Sequence, residues 1–149
     1  MKLRVYLDTS VFSACCDNRV LERQAATQEF WARRGEFDVS TSGVARDELQ
    51  QAADETLQQK FQSLLAHVAI HPITQEMKDL ARLYVAAGVF APSMFNDALH
   101  VAAAVLTRQD ILLSWNFRHL VNRRRRAQVN QLNISQGLPT IEIISPPEV

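Results

Sequence analysis

A short apolar strand that runs into three consecutive side-chain oxygens constrains this chain more than any other feature. In LRVYLDTSVF, Leu3 to Phe12, the residues Leu3, Val5 and Leu7 alternate with Arg4 and Tyr6. Asp8-Thr9-Ser10 then breaks the pattern, and Val11-Phe12 resumes an apolar surface. β-Branched and aromatic residues ending in a cluster of acceptors read as a buried strand leading directly into a helix. Open α/β sheets take their ligands at the carboxyl ends of their strands, so an acid at that point is placed for chemistry. Taken alone, Asp8 reads first as the cap of the following helix. What decides between cap and site is which other acids reach the same edge.

The rest of the chain alternates strand and helix. Val11 to Cys16 makes a short helical turn, and Leu21 to Arg34 is a helix stopped by Gly35. Phe37 to Thr41 alternates as a second strand, and Ser42 is the expected cap of a helix carrying Val44, Ala45, Glu48 and Leu49. Leu57, Phe61, Leu64 and Leu65 share one helix face, and Val68 to Ile70 is a short strand. Thr74 caps a helix striped by Met77, Leu80, Ala81 and Tyr84, which ends before Gly88. Val89 to Phe95 is an apolar loop around Pro92, and Asn96-Asp97 opens a helix, Ala98 to Thr107, apolar on most sides. Such a helix belongs against a sheet. Ile111 to Leu113 is a compact buried strand followed by Ser114-Trp115-Asn116 and an arginine-rich helix. Gly137-Leu138-Pro139 turns into a last strand, Thr140 to Ile144. This order predicts a parallel sheet covered by helices on both faces.

At 149 residues, with no linker, repeat or low-complexity stretch, the chain is expected to form a single domain, 1–149. Hydrophobic and charged fractions of 47% and 21% are those of a soluble globular protein. No apolar run approaches the roughly 20 residues of a membrane span, and the amino terminus enters a strand instead of a signal peptide. The two cysteines, Cys15 and Cys16, are adjacent, which suits neither a disulfide nor a zinc spacing. A cytoplasmic location follows as the expectation, with both thiols as packing residues. Basic and acidic residues number 16 each, so net charge names no partner. The last third is more basic, with Arg108, Arg118 and Arg123 to Arg126 facing only Asp110, Glu142 and Glu148. Four successive helical residues point in four directions, so Arg123, Arg124, Arg125 and Arg126 cannot all line one groove. Contact with RNA phosphates and a solvated or acid-paired surface both remain open for them.

In a parallel sheet each strand end and the first turns of the following helix share one edge. Asp8 ends the first strand, Glu48 lies early in the helix after the second, Asp97 opens a helix, and Asn116 follows the Ile111 strand. Singly, each has a plain structural reading: a cap, a dipole-matched acid or a turn residue. Four of them on one edge point to a site. His100, one turn beyond Asp97, and His119 are open between facing that site and packing, whereas His67 and His71 read as structural or exposed. No glycine-rich loop supports nucleotide binding.

Through LDTSV with Asp8, VARDEL with Glu48, NDALHVAAA with Asp97 and LLSWNFRHL with Asn116, the chain resembles PIN domains, in particular the VapC-like ribonucleases that act as toxins of bacterial toxin–antitoxin pairs. The resemblance implies a three-layer α/β/α fold around five parallel strands in the order 3-2-1-4-5. It also implies hydrolysis of RNA phosphodiesters with magnesium or manganese. Asp8 and Asp97 would be direct ligands, and Glu48 a ligand or the holder of one of the ion's waters. Hard oxygen donors suit such cations, which relieve the repulsion between clustered carboxylates. Asn116, with Thr9, Ser10 and Ser114, would position waters or phosphate behind them. Arg118 and Arg123 to Arg126 are the candidate RNA contacts. Implied partners are a small antitoxin, laid as a peptide across the groove, and a second copy in a homodimer, with no membrane; the Val89 to Phe95 loop is open between such a contact and core packing. Many PIN domains carry an aspartate where this chain has Asn116, which puts a second metal in question. Two rival functions remain at this point: a non-catalytic PIN scaffold that binds RNA or protein, and a phosphotransfer enzyme using Asp8 as nucleophile.

Overall fold

The strand β1 (Arg4–Leu7) sits at the centre of the sheet in a computed structural model that describes residues 1–149. Val5, Tyr6 and Leu7 are all fully buried, as a strand covered by helices on both faces requires. Around it run β2 (Asp38–Ser42), β3 (Ala69–His71), β4 (Ile111–Leu113) and β5 (Glu142–Ile144), in the order β3-β2-β1-β4-β5 and all parallel. Seven helices complete the architecture: α1 (Thr9–Cys15), α2 (Leu21–Ala32), α3 (Gly43–Leu49), α4 (Glu55–Leu65), α5 (Gln75–Ala86), α6 (Phe95–Leu106) and α7 (Arg123–Ser135).

Strand side chains alternate between two cores, because successive residues point to opposite faces. Tyr6, Leu112 and Ile143 join α5, α6 and Val129 of α7 on one side. Val5, Leu7, Ile111 and Leu113 join α1, α2 and α4 on the other. Helix α3 serves both, with Val44 in the first core and Ala45 and Leu49 in the second. This is the expected three-layer α/β/α arrangement. The winding reverses at β1, which pairs with β2 on one side and β4 on the other, and the crevice of such a sheet lies at the carboxyl end of that reversal. Asp8 is the next residue.

Several local expectations change. Leu3 stands outside β1 and is half exposed, so the strand begins at Arg4. Ser42 precedes α3 without capping it; its hydroxyl lies 2.6 Å from the Tyr6 hydroxyl, the polar end of a side chain with no access to water. Helix α6 starts at Phe95, after a single 3-10 turn, Pro92–Met94, so Asp97 falls inside the first turn and is not the cap. Val89 and Phe90 are buried in the first core, which settles the apolar part of that loop as packing. The Thr74 cap forms as expected, accepting from the Met77 N–H at 3.2 Å. Both cysteines are free, half-buried thiols against the second core, and burial pushes Cys15 up to about 11. No helix is long and apolar enough to cross a membrane.

Candidate active site

Asp8 is the fixed point of the site. Its carboxylate is 4% exposed and caps α1: Oδ1 accepts from the Ser10 N–H at 3.0 Å and from the Ser10 hydroxyl at 2.5 Å. Oδ2 accepts from the Ser114 hydroxyl at 2.6 Å, which ties the end of β1 to the end of β4. Ser114 Oγ accepts in turn from the Asn116 N–H, and Ser10 Oγ from the Trp115 N–H. Burial raises the Asp8 carboxyl above its ordinary range; nearby His100 and the hydrogen bonds from Ser10 and Ser114 offset only part of that cost. Oδ1 is filled by two donors, whereas Oδ2 accepts one and keeps a second lone-pair site.

Glu48 occupies the second turn of α3, half-buried, with Oε1 accepting from the Thr9 hydroxyl at 2.7 Å and paired with His100 Nε2 at 2.8 Å. Burial alone would raise its pKa, but the hydrogen bond and charge of His100, with the Thr9 bond, outweigh it and hold the carboxyl below its ordinary value. His100 is 2% exposed, and its Nδ1 lies 2.7 Å from the Tyr6 hydroxyl. A chain of hydrogen bonds, Ser42–Tyr6–His100–Glu48, therefore runs from the interior to the edge. The question left open for His100 is answered: it faces Glu48.

Asp97 is partly exposed and pairs through Oδ2 with His119 Nδ1 at 2.9 Å. Asn116 accepts the His119 N–H on Oδ1 at 2.9 Å, and its carbonyl accepts from Leu120 and Val121. This turn is what carries the His119 ring to Asp97. The acids thus come to one edge in three small groups: Asp8 with Ser10 and Ser114, Glu48 with Thr9 and His100, and Asp97 with His119 and Asn116. No three His, Cys, Asp or Glu side chains are gathered closely enough to cage a metal ion. Magnesium does not require a cage, since it keeps several waters and takes one or two carboxylates plus substrate oxygens. The donor set fits such an ion: it is all oxygen, and the bonds that hold Glu48 and Asp97 fall on Oε1 and Oδ2, leaving each a second oxygen.

The arginines divide. Arg125 is half-buried, donating to the Val89 carbonyl and lying 4.5 Å over the Phe90 ring, and Arg126 donates to the Ile143 carbonyl at 3.1 Å. Both brace α7 against the body of the protein, so they leave the set of candidate RNA contacts. Arg118, Arg123 and Arg124 are exposed. Arg118 and Arg124 line a cleft of about 450 Å³ with Phe117, Asn122 and Gln128. Of the members of these networks, Tyr6 carries no sequence expectation beyond its strand, Ser42 reads from sequence as a cap, and His100 and His119 read as open between site and packing. The one signal for Tyr6 was a phenol in the middle of a strand bound to be covered on both faces.

No protein-family model matches the sequence, and no curated protein matches it. Solved structures do match in fold. A DNA-bound VapBC from Salmonella typhimurium shares 14% identity at a TM-score of 0.64, covering 97% of this chain and 98% of that one. VapBC2 from Rickettsia felis, bound to a DNA fragment from its promoter, shares 13% at 0.58, covering 95% and 97%. The Mycobacterium tuberculosis toxin VapC20, described as cleaving the sarcin–ricin loop, shares 14% at 0.59, covering 77% and 92%. The chain has the PIN-like fold of these structures, with the strand order 3-2-1-4-5 that the resemblance implies.

Proposed function

We propose that this protein is a magnesium- or manganese-dependent endoribonuclease that hydrolyses RNA phosphodiester bonds, and that it is the toxin of a toxin–antitoxin pair. One observation carries the reading. At the reversal of the sheet a carboxylate, Asp8, is buried with only neutral hydrogen-bond donors attached, and Glu48 and Asp97 stand on the same edge. A buried carboxylate whose cost His100 and its hydrogen bonds offset only in part gains from a further counter-charge. A divalent ion held by Asp8, Glu48 and Asp97 would supply that charge, neutralise the phosphate and acidify the attacking water. The chain's own residues set the geometry: Ser10 and Ser114 fix Asp8, Thr9 and His100 fix Glu48, and His119 fixes Asp97. Such outer partners govern how well a ligand set binds. Asn116, with Oδ1 taken by His119, has its amide N–H groups to offer a phosphate oxygen.

The solved structures of similar fold include toxin–antitoxin complexes and a toxin described as cleaving the sarcin–ricin loop, which supports an antitoxin partner and an RNA substrate here. The homodimer stands as a further expectation. The test is incubation of labelled structured RNA with the protein in magnesium, manganese or chelator. Cleavage should require the cation and vanish in Asp97→Asn. Cleavage in chelator, or by Asp97→Asn at the wild-type rate, overturns the reading. Binding without cleavage under every cation would leave the chain as a scaffold.

A further inference from the structure

Immediately after Asn116 the chain exposes a large aromatic side chain for which the core has no use. Phe117 is 44% exposed, yet its setting is rigid. Its carbonyl and that of Arg118 accept from the Asn122 amide at 3.0 and 3.2 Å. The neighbouring Trp115 is pinned through Nε1 to Thr27 at 2.8 Å and through its N–H to Ser10, which itself holds Asp8. The Trp115 and Phe117 rings meet edge to face at 6.1 Å, and the Arg23 guanidinium lies 5.4 Å from both ring centres. Phe117 also walls the 450 Å³ cleft that Arg118 and Arg124 line and Arg23 does not. None of Arg23, Arg118 and Arg124 has a carboxylate within ion-pairing distance. Arg125 is the third arginine in the wall of this cleft, and the Asp97 carboxylate favours its charge.

We propose that Phe117 is a stacking platform for an unpaired nucleobase, with Arg118 and Arg124 taking a neighbouring phosphate of the same strand. The inference rests on the RNA reading above and specifies the part of the substrate that is recognised: a single-stranded nucleotide beside the cut bond. An exposed ring backed by a guanidinium is how proteins hold splayed bases, and unpaired arginines beside it match the phosphate that every stacked base carries. Val89, Ala91 and Met94 add apolar lining, but Phe117 is the one aromatic wall and it stands beside three arginines, Asn122 and Gln128, a combination that suits a base and its phosphate.

The experiment is fluorescence anisotropy of a labelled single-stranded oligoribonucleotide in chelator, compared with the same strand made abasic at successive positions. Phe117→Leu should weaken binding by about 5- to 150-fold, the range for loss of one stacked base, and Phe117→Trp should keep it. An abasic site at the stacked position should weaken wild type to the same level, and Phe117→Leu should then cost nothing more. Arg124→Ala should flatten the salt dependence by ~0.7 log units, and Phe117→Leu should leave that slope alone. Wild-type affinity in Phe117→Leu, an equal loss on every abasic strand, or no RNA binding by the wild type overturns the platform. So does a Phe117→Leu effect confined to self-association or protein binding. Cleavage in magnesium is read separately. A wild type that binds through Phe117 but never cuts refutes the nuclease and supports the platform, and one that cuts while binding is indifferent to Phe117 refutes the platform alone.

Discussion

Asp8→Asn is expected to stabilise the cation-free protein at neutral pH, against the usual effect of altering a buried polar residue. The substitution keeps the shape and the anchors: Oδ1 still accepts from Ser10, and the new amide nitrogen donates to Ser114 Oγ, where the carboxylate accepted at 2.6 Å. Asn caps a helix about as well as Asp. Only the charge changes. Burial raises the Asp8 pKa in spite of its hydrogen bonds and His100, so the ionised form is a net cost to the folded state. A raised folded pKa means that the folded chain keeps the proton through a window above the ordinary value of 3.8, where the unfolded chain has lost it. Wild-type stability falls as pH rises through that window, and the whole penalty stands above it. The variant should therefore melt higher in chelator at neutral pH, by about 2–4 °C for each kcal/mol relieved, and the gap should close as the pH falls below the window. In magnesium the order should narrow or invert, because the wild type gains roughly 1.4 kcal/mol at tenfold excess over Kd, ~3–6 °C. Asp97→Asn, which takes a partner from His119 and frees no isolated charge, should gain less in chelator. Thermal melts of the three proteins across pH, with and without cation, are the assay. A melting temperature for Asp8→Asn equal to or below wild type in chelator, or a gap that ignores pH, refutes the reasoning.

Tyr6→Phe should cost about 1–3 kcal/mol, since it strips the partner from the buried Ser42 hydroxyl and from His100 Nδ1; urea denaturation with an unchanged m-value measures it. Arg125→Ala should cost ~1–2 kcal/mol through the lost Val89 carbonyl bond and Phe90 stack, while exposed Arg123→Ala stays within about 0.5 kcal/mol; the same denaturation curves separate them. Asn116→Asp should keep the fold, because one carboxylate oxygen still accepts the His119 N–H, and should add a charged oxygen in place of the amide nitrogen. Calorimetry should then show tighter divalent-ion binding or a second event, and unchanged binding would place residue 116 beyond the ion's reach.

The fold was legible because its signals are local and repeated. β4 was expected at Ile111 to Leu113 and lies there, since three consecutive large apolar residues bounded by Asp110 and Ser114 leave no other buried strand. The placing of Asp8, Glu48, Asp97 and Asn116 near strand ends followed from chain direction alone. What could not be read were the pairings between elements. Ser42 looks like a cap in isolation and turns inward only because Tyr6, on another strand, needs a partner. Arg125 and Arg126 are indistinguishable from Arg123 and Arg124 along the helix; which pair braces the body depends on where the Val89 and Ile143 carbonyls arrive. His100 and His119 stayed ambiguous for the same reason, each meeting an acid 52 and 22 residues away.

The most direct test of the account is a calorimetric titration of manganese into wild type, Glu48→Gln and Asp97→Asn, without RNA. If the carboxylates of this edge share a divalent ion, wild type binds it and each variant weakens binding by at least about tenfold, the scale already seen when mere outer partners of a metal site are removed. An Arg124→Ala control should bind as wild type does. Manganese binding that is absent from wild type, or unchanged in both carboxylate variants, contradicts the claim that Asp8, Glu48 and Asp97 form one cation site.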